Sequence, residues 1–217
     1  MTQQQKTHRL AVAAMLTAVA AVLQFLEFSI PLVPSFIKLD FSDLPALLGT
    51  FSLGPVYGVA IQLVKNGVPG EVIQHHIKYS FQCVPLPFGS SAGVGELSNF
   101  ILGAVFVFVA GAIYKHSKSR KSALVGSVAG AAAMALISII TNYFIVYPAY
   151  VVLYNLPLDA IVGMYEAILG GVSHVPTENA LFNCLLVFNI PFTLAKGLLD
   201  TALCFLIYKP LSPLLHR

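Results

Sequence analysis

Five long apolar blocks with few charges limit what this chain can fold into. They cover about residues 10–30, 44–64, 94–114, 122–147 and 181–208. A helix needs about 20 apolar residues to cross a bilayer, and each block reaches that length. Only 10% of the 217 residues are charged, whereas soluble domains have about 25%. The pattern indicates an integral membrane protein and excludes a soluble enzyme, a disordered tail and a nucleic-acid-binding protein.

The positions of the positive charges test the number of spans. Cytoplasmic loops carry an excess of Lys and Arg, so the basic cluster at 115–121 and the basic amino terminus are both expected inside. This requires an even number of spans between them, but three blocks lie there. We therefore predict a break at Gly54-Pro55, because a proline ring removes a helical hydrogen bond. A short helix over about 43–53 and another over about 55–78 complete the count.

The predicted fold is an all-α integral membrane bundle of six transmembrane helices in a single domain, 1–217, with both termini in the cytoplasm. The first block is taken as a transmembrane helix and not as a cleaved signal. The stretch 147–183 then lies outside, and it contains no Lys or Arg. Apolar residues at helical spacing predict an external loop helix near 157–170, which either lies on the bundle or covers an outward-facing pocket.

Motifs for nucleotide binding, metal binding and nucleophilic catalysis are absent from the sequence. It lacks GxxxxGK[ST], HExxH and GxSxG, and its three cysteines form no CxxC pair. Cys184 and Cys204 lie in an apolar block and are expected to be small core residues. We therefore expect no catalytic residues, no metal, no cofactor and no ATP hydrolysis by this chain itself.

Polar side chains at membrane depth are the candidates for a binding site, because placing them in lipid is costly. Asn189, Thr193 and Lys196 share one face of the last helix, since they are spaced by four and three residues. Lys196 either pairs with Glu96 or a carbonyl for packing, or donates to a ligand carbonyl or phosphate. The other candidates, each open to a structural reading, are Glu96 and Asn99 in the fourth helix, Asn142 in the fifth and Lys65 in the third.

Small residues mark two helix faces that permit close backbone approach. Gly126 and Gly130 form a GxxxG pattern in the fifth helix and predict packing inside the bundle. Ala14 and Ala18 form a similar face on the first helix. That face fits either packing in the bundle or docking to another membrane protein.

Six short motifs occur in order along nearly the whole chain. They are KLDFSDLPA at 38–46, LGP at 53–55, Lys65-Asn66, GELSNF at 95–100, NYF at 142–144, and Pro191-Phe192 followed by Lys196-Gly197. This ordered set resembles the riboflavin-specific S-components, the substrate-binding membrane subunits of energy-coupling-factor (ECF) vitamin transporters. The chain departs from that pattern at Thr193, where the family has asparagine, and in its longer outer segments 70–92 and 155–183.

The resemblance implies a fold, a role and partners. The fold is a six-helix bundle with an outward pocket in a prokaryotic plasma membrane. The role is to bind riboflavin at the extracellular face and to deliver it with a transmembrane coupling subunit and two ATP-binding cassette ATPases. Lys196 matches a lysine that contacts the flavin, and Asn142 matches an asparagine at the pocket. Ala14 and Ala18 match a docking motif for the coupling subunit.

The candidate substrate-binding set joins these matches to the polar residues at membrane depth. Its members are Asp40, Phe41, Glu96, Asn99, Asn142, Asn189, Thr193 and Lys196. Aromatic walls for a flavin come from Phe41, Tyr143, Phe188 and Phe192. Because of the departure at Thr193, an S-component for another vitamin such as pantothenate stays open. A stand-alone secondary carrier with a Glu96–Lys196 proton relay is an alternative of another class, and an intramembrane enzyme is a third.

Overall fold

The chain folds into a helical bundle with two short π-helical segments and one small β-ladder. The computed structural model describes residues 2–30, 33–34, 37–67, 94–155, 157–168 and 179–215, with the backbone alone at 154 and 209–215. The elements in chain order are α1 (Gln3–Phe25), β1 (Phe28–Ser29), β2 (Lys38–Leu39), α2 (Asp43–Leu53), α3 (Pro55–Gly67), α4 (Val94–His116), α5 (Arg120–Thr141), π1 (Asn142–Val146), α6 (Tyr147–Tyr154), α7 (Leu158–Ile168), α8 (Ala180–Cys184), π2 (Leu185–Asn189) and α9 (Ile190–Leu215).

Four helical stretches within the described residues are long and apolar enough to cross a membrane. They run over Gln3–Phe25, Val94–His116, Arg120–Leu153 and Ala180–Tyr208. Their mean hydropathy lies between 1.5 and 2.2, and no more than 44% of any apolar window is buried inside the protein. Most of each apolar surface therefore faces outward, as expected for a multi-pass membrane protein.

The predicted break between the second and third helices is present. Gly54 has φ 113° and ψ 166°, a backbone conformation that side chains rarely adopt, and its N–H donates to the Thr50 carbonyl at 3.0 Å. Pro55 then begins α3, where its missing N–H costs no helical hydrogen bond. The described part of α3 ends at Gly67, so the predicted continuation to 78 lies outside the described residues.

The short helix α2 occupies the centre of the bundle. Ten of its eleven residues are buried, and it contacts α1, α3, α4 and α9. An 11-residue helix is too short to cross a bilayer unaided, but a helix surrounded by protein does not face lipid. Its apolar side chains therefore form the middle of the main hydrophobic core.

The predictions for the ends of two helices were wrong. The first helix was expected over 10–30, but α1 ends at Phe25, and Phe28 and Ser29 pair with Leu39 and Lys38 in an antiparallel ladder. A short apolar run does not distinguish a helix from a strand. The fifth helix was expected to end at 147, but it continues through π1 and α6 to Tyr154. Pro148 lies in the first turn of α6, where proline is tolerated.

Gly126 and Gly130 lie where α5 packs against α4. A Cβ atom at Gly126 would lie 2.7 Å from the Ala110 carbonyl oxygen, and one at Gly130 would lie 2.5 Å from the Phe106 carbonyl oxygen. Side chains at these positions are excluded unless the two helices separate. The GxxxG pattern therefore serves packing inside the bundle, as predicted.

The predicted external helix is α7, and one of its sides packs on the bundle. Ile161 and Tyr165 are buried, and they join Tyr147, Cys184 and Leu185 in a second hydrophobic cluster. The last two positions of the predicted helix, 169 and 170, lie outside the described residues. The cluster places α7 against both π segments, next to several of the candidate binding residues.

Candidate functional site

Two of the predicted binding residues lie in the π-helical segments. Asn142 is the first residue of π1 and is half-buried, and Asn189 is the last residue of π2 and is buried. A π-helical turn inserts an extra residue into a helix, and such turns occur frequently at functional sites. The Asn142 side chain has no hydrogen-bond partner within the described residues. Its amide is therefore available to a ligand.

A buried chain of hydrogen bonds connects α7 to α6 and π2. The Tyr165 hydroxyl, from α7, lies 2.5 Å from the hydroxyl of Tyr147, the first residue of α6. The same hydroxyl donates to Asn189 Oδ1 at 3.1 Å. Both tyrosines are almost completely buried, so these bonds do not compete with water. Tyr165 therefore orients the Asn189 amide from α7.

Lys196 pairs with two carboxylates that the sequence analysis did not assign to it. Its Nζ lies 2.9 Å from Asp40 Oδ2 and 3.2 Å from Asp43 Oδ2. Asp40 lies three residues before the start of α2, and Asp43 is the first residue of that helix. The expected alternative pairing of Lys196 with Glu96 is therefore wrong. The ion pairs instead join α9 to the start of the central helix.

Lys65 completes an ion cluster with Lys196, Asp40 and Asp43. Its Nζ lies 2.6 Å from Asp43 Oδ1, and it also donates to the Ser42 hydroxyl. Gln62 Nε2, one turn earlier on α3, donates to the same Asp43 oxygen at 2.8 Å. Asp43 thus receives hydrogen bonds from α3 and lies against α9. The structural interpretation of Lys65, as part of a hydrogen-bond network, fits this arrangement.

The two lysines keep Asp40 ionised in spite of its burial. Burial raises the pKa of a carboxyl group, but the positive charges of Lys196 and Lys65 and a hydrogen bond from Ser42 outweigh it. The net effect holds the pKa of Asp40 below its usual value of 3.8. The ion pairs join two acidic and two basic side chains, so the formal charges of the cluster balance.

The remaining candidates lie on α9, on α4 and in the segment before α2, and they differ in burial. Thr193 is buried on α9, between the positions of Asn189 and Lys196. Phe41 is half-buried, and its ring centroid lies 6.1 Å from that of Phe28. Glu96 and Asn99 are half-buried in the first two turns of α4. The described ion pairs do not connect Glu96 to Lys196, so the structure does not provide the relay of the carrier alternative.

Sequence reasoning missed three polar residues of this region. Asp43 lies within the KLDFSDLPA motif and Gln62 lies in the third helix, but neither was predicted to take part in the site. Asp200 lies one turn after Lys196 in an apolar run and is fully buried. Its charge at membrane depth was the available signal for its importance.

The predicted docking face of the first helix lies on the outside of the bundle. Ala14 and Ala18 are exposed, whereas Val12, Ala13, Leu16 and Ala20 form the buried side of α1. Packing within the described bundle therefore does not explain this alanine face. At Ala14 and Ala18 this exposed surface carries only methyl side chains.

Comparison with known proteins agrees with this architecture. Residues 8–208 match the family model described as ECF transporter, substrate-specific component. The chain is 33% identical over 213 residues to riboflavin transporter RibU of Staphylococcus aureus (strain TCH60), covering 98% of this chain and 95% of that protein. It is 30% identical over 212 residues to riboflavin transporter FmnP of Bacillus subtilis (strain 168), covering 98% and 96%.

A solved structure has the same fold. It was described as the S component of a bacterial ECF transporter, and it superposes on this chain with a TM-score of 0.65. The identity is 34%, and the match covers 99% of this chain and all of that one. Together, the family model, the two relatives and the solved structure show that the chain belongs to the family of substrate-specific components of ECF transporters.

Proposed function

We propose that this chain binds riboflavin at the outer face of a prokaryotic plasma membrane, as the substrate-binding subunit of an ATP-driven importer. The observation that carries the proposal is the identity of 33% and 30%, over nearly the whole chain, to two proteins named riboflavin transporters. The polar cluster around Lys196 supports it, since a flavin ring needs hydrogen-bond donors for its carbonyls. The chain acts as a binding subunit and not as an enzyme.

Lys196 is the proposed donor to a flavin carbonyl. An ammonium group has three N–H donors, and the described contacts of Lys196 use two of them, toward Asp40 and Asp43. The third is available to a ligand that lies beside α9. The two carboxylates fix the ammonium group in place, so Asp40 acts by positioning Lys196.

The other proposed contacts lie on three elements around that donor. Asn189 and Thr193 precede Lys196 on π2 and α9, and Asn142 lies at the start of π1. Apolar walls come from the aromatic side chains Phe41, Tyr143, Phe188 and Phe192, all half-buried. Glu96 and Asn99 complete the proposed site from the outer end of α4.

The proposed topology has six spans in one membrane-embedded domain, 1–217, with both termini in the cytoplasm. The four long apolar stretches supply four spans, and α2 and α3 supply the other two. The positive charges near residues 6–9 and 115–121 then lie on the same side. Single cysteines at Thr2 and Ser119 should both resist a membrane-impermeant thiol reagent in intact cells, and labelling of either would contradict this topology.

The proposed partners are a transmembrane coupling subunit and two ATP-binding cassette ATPases. The exposed face at Ala14 and Ala18 supports docking of the coupling subunit, because small residues let helices approach closely in a bilayer. This chain has no P-loop motif. The energy for transport then comes from ATP hydrolysis in the partners.

The absorption spectrum and a riboflavin titration test the proposal. Purified protein should quench riboflavin fluorescence saturably, with one flavin bound per chain. A Lys196→Ala variant should bind about 10- to 150-fold more weakly, because a hydrogen bond from a charged group contributes about 1.5–3 kcal/mol. The matched control is Lys38→Ala, since Lys38 pairs with Glu27 near the surface and should leave the affinity unchanged.

Two outcomes would contradict the proposal in different ways. Protein that neither retains nor quenches a flavin would exclude riboflavin, and pantothenate would be the next ligand to titrate. Equal affinities for the Lys196→Ala and Lys38→Ala variants would keep the vitamin but remove Lys196 from the site.

A further inference from the structure

Asp200 is a buried carboxyl group without a hydrogen-bond partner among the described residues. It lies on α9, its exposed fraction is 0%, and neither of its oxygens accepts a hydrogen bond from any described group. An ionised carboxylate in such a place is very unfavourable unless a cation or donors compensate it. The protonated form carries no charge and avoids most of that cost.

The charges around Asp200 are already balanced without it. α9 packs against α2 and α5. The only titratable residue of α2 is Asp43, and those of α5 are Arg120 and Lys121, both exposed at its start. The charged side chains nearest to Asp200 are those of Asp43, Lys196, Asp40 and Lys65, and Cys204 lies one turn further along α9. Two carboxylates and two ammonium groups cancel, so an ionised Asp200 would add an uncompensated negative charge.

We propose that Asp200 is a proton-binding site, neutral while Asp40 pairs with Lys196, and that it releases its proton to solvent and becomes the counter-ion of Lys196 when Asp40 is withdrawn. This role of Asp200 is the same for any bound vitamin. The proton lies on Asp200, and the pairing of Asp40 with Lys196 controls whether it stays there.

The positions of the two carboxyl groups fit this exchange. Asp40 lies in the irregular segment between β2 and α2, so it can leave without moving a helix. Asp200 lies four residues after Lys196 on the same helix, where side chains are neighbours with Cβ atoms about 5–6 Å apart. Without Asp40, Lys196 keeps only Asp43, which Lys65 already shares. An ionised Asp200 then restores the balance of two negative and two positive charges.

Infrared spectroscopy of the purified protein at neutral pH tests both the protonation of Asp200 and its ionisation when Asp40 is removed. A protonated carboxyl group has a distinct C=O stretching band that shifts in D₂O. The band should be present in the wild-type protein, absent in Asp200→Asn, and absent in Asp40→Asn, where Asp200 ionises. The Asp200→Asn variant should unfold at nearly the wild-type temperature, since the amide has the size of the neutral acid. Glu27→Gln, which removes the carboxylate paired with Lys38, is the matched control and should retain the band.

Each contrary result overturns a defined part of the proposal. A wild-type protein without the band, or a band that survives in Asp200→Asn, would show that Asp200 does not hold the proton. A band that persists in Asp40→Asn would remove the counter-ion exchange. Asp40→Ser gives the same test if the asparagine variant does not fold. Lys196→Met should retain the band, because no cation remains beside Asp200, and its loss there would also contradict the exchange.

Discussion

A Lys65→Met variant tests whether the ion pair between α3 and α2 stabilises the bundle. The side chains of Lys65 and Asp43 are only 1% and 4% exposed, and their charged atoms are 2.6 Å apart. Removal of one partner of a buried pair costs about 3–5 kcal/mol, because the other charge stays buried without compensation. Lys196 also contacts Asp43, at 3.2 Å, and Gln62 donates to it. We therefore expect the lower end of that range, a loss of about 3 kcal/mol.

The assay is the free energy of unfolding of the purified protein in detergent micelles, measured by denaturant titration. The matched control is Lys38→Met, because Lys38 pairs with Glu27 while their side chains are 37% and 28% exposed. Such surface pairs contribute about 0–1 kcal/mol. If the Lys65 variant loses no more stability than the Lys38 variant, the buried pair does not hold α3 against α2. In the double variant Lys65→Met/Asp43→Asn, the losses should be less than additive.

Three further predictions concern packing, the external helix and docking. Gly130→Ala places a Cβ 2.5 Å from the Phe106 carbonyl oxygen and should lower the free energy of unfolding by about 1–3 kcal/mol, whereas Gly163→Ala, in open space, should not. Tyr165→Phe removes the hydroxyl that bonds both Tyr147 on α6 and Asn189 on π2, and it should cost about 1–3 kcal/mol in the same assay. Ala18→Trp should abolish riboflavin uptake by cells but leave the dissociation constant of the purified protein unchanged, and a parallel loss of binding would contradict a separate docking face.

Features that depend on local chain chemistry were predictable from the sequence. Four of the five apolar blocks predicted helices that are long and apolar enough to cross a membrane, because length and hydropathy decide that property directly. Gly54-Pro55 predicted the helix break, since only glycine readily adopts the backbone angles found there. The GxxxG pattern at Gly126 and Gly130 predicted close packing for the same local reason. In each case, the residues of one short segment are enough to predict the feature.

Features that depend on distant partners were not predictable from one sequence. Lys196 was recognised as a polar residue at membrane depth, but Asp40 is 156 residues away. Hydropathy gives no information on which carboxylate meets which lysine, so Glu96 was the wrong partner. The π segments were missed for another reason: they have the composition of the α-helices on either side. The eight candidate residues stay predictions of ligand contact, although the ion pairs of Lys196 and Asp40 are now defined.

The two π segments have a consequence for how this bundle can change over evolution. An α-helix turns by about 100° per residue, so the extra residue in Asn142–Val146 and in Leu185–Asn189 rotates the outer part of each helix relative to its inner part. The inner parts, α5 and α9, carry contacts of the main core, whereas the outer parts, α6 and α8, pack with α7 in the second hydrophobic cluster. Gain or loss of one residue at either segment would turn the outer side chains to a new direction and leave the inner register intact. Packing in the main core and packing against α7 can therefore diverge independently along the same continuous helix.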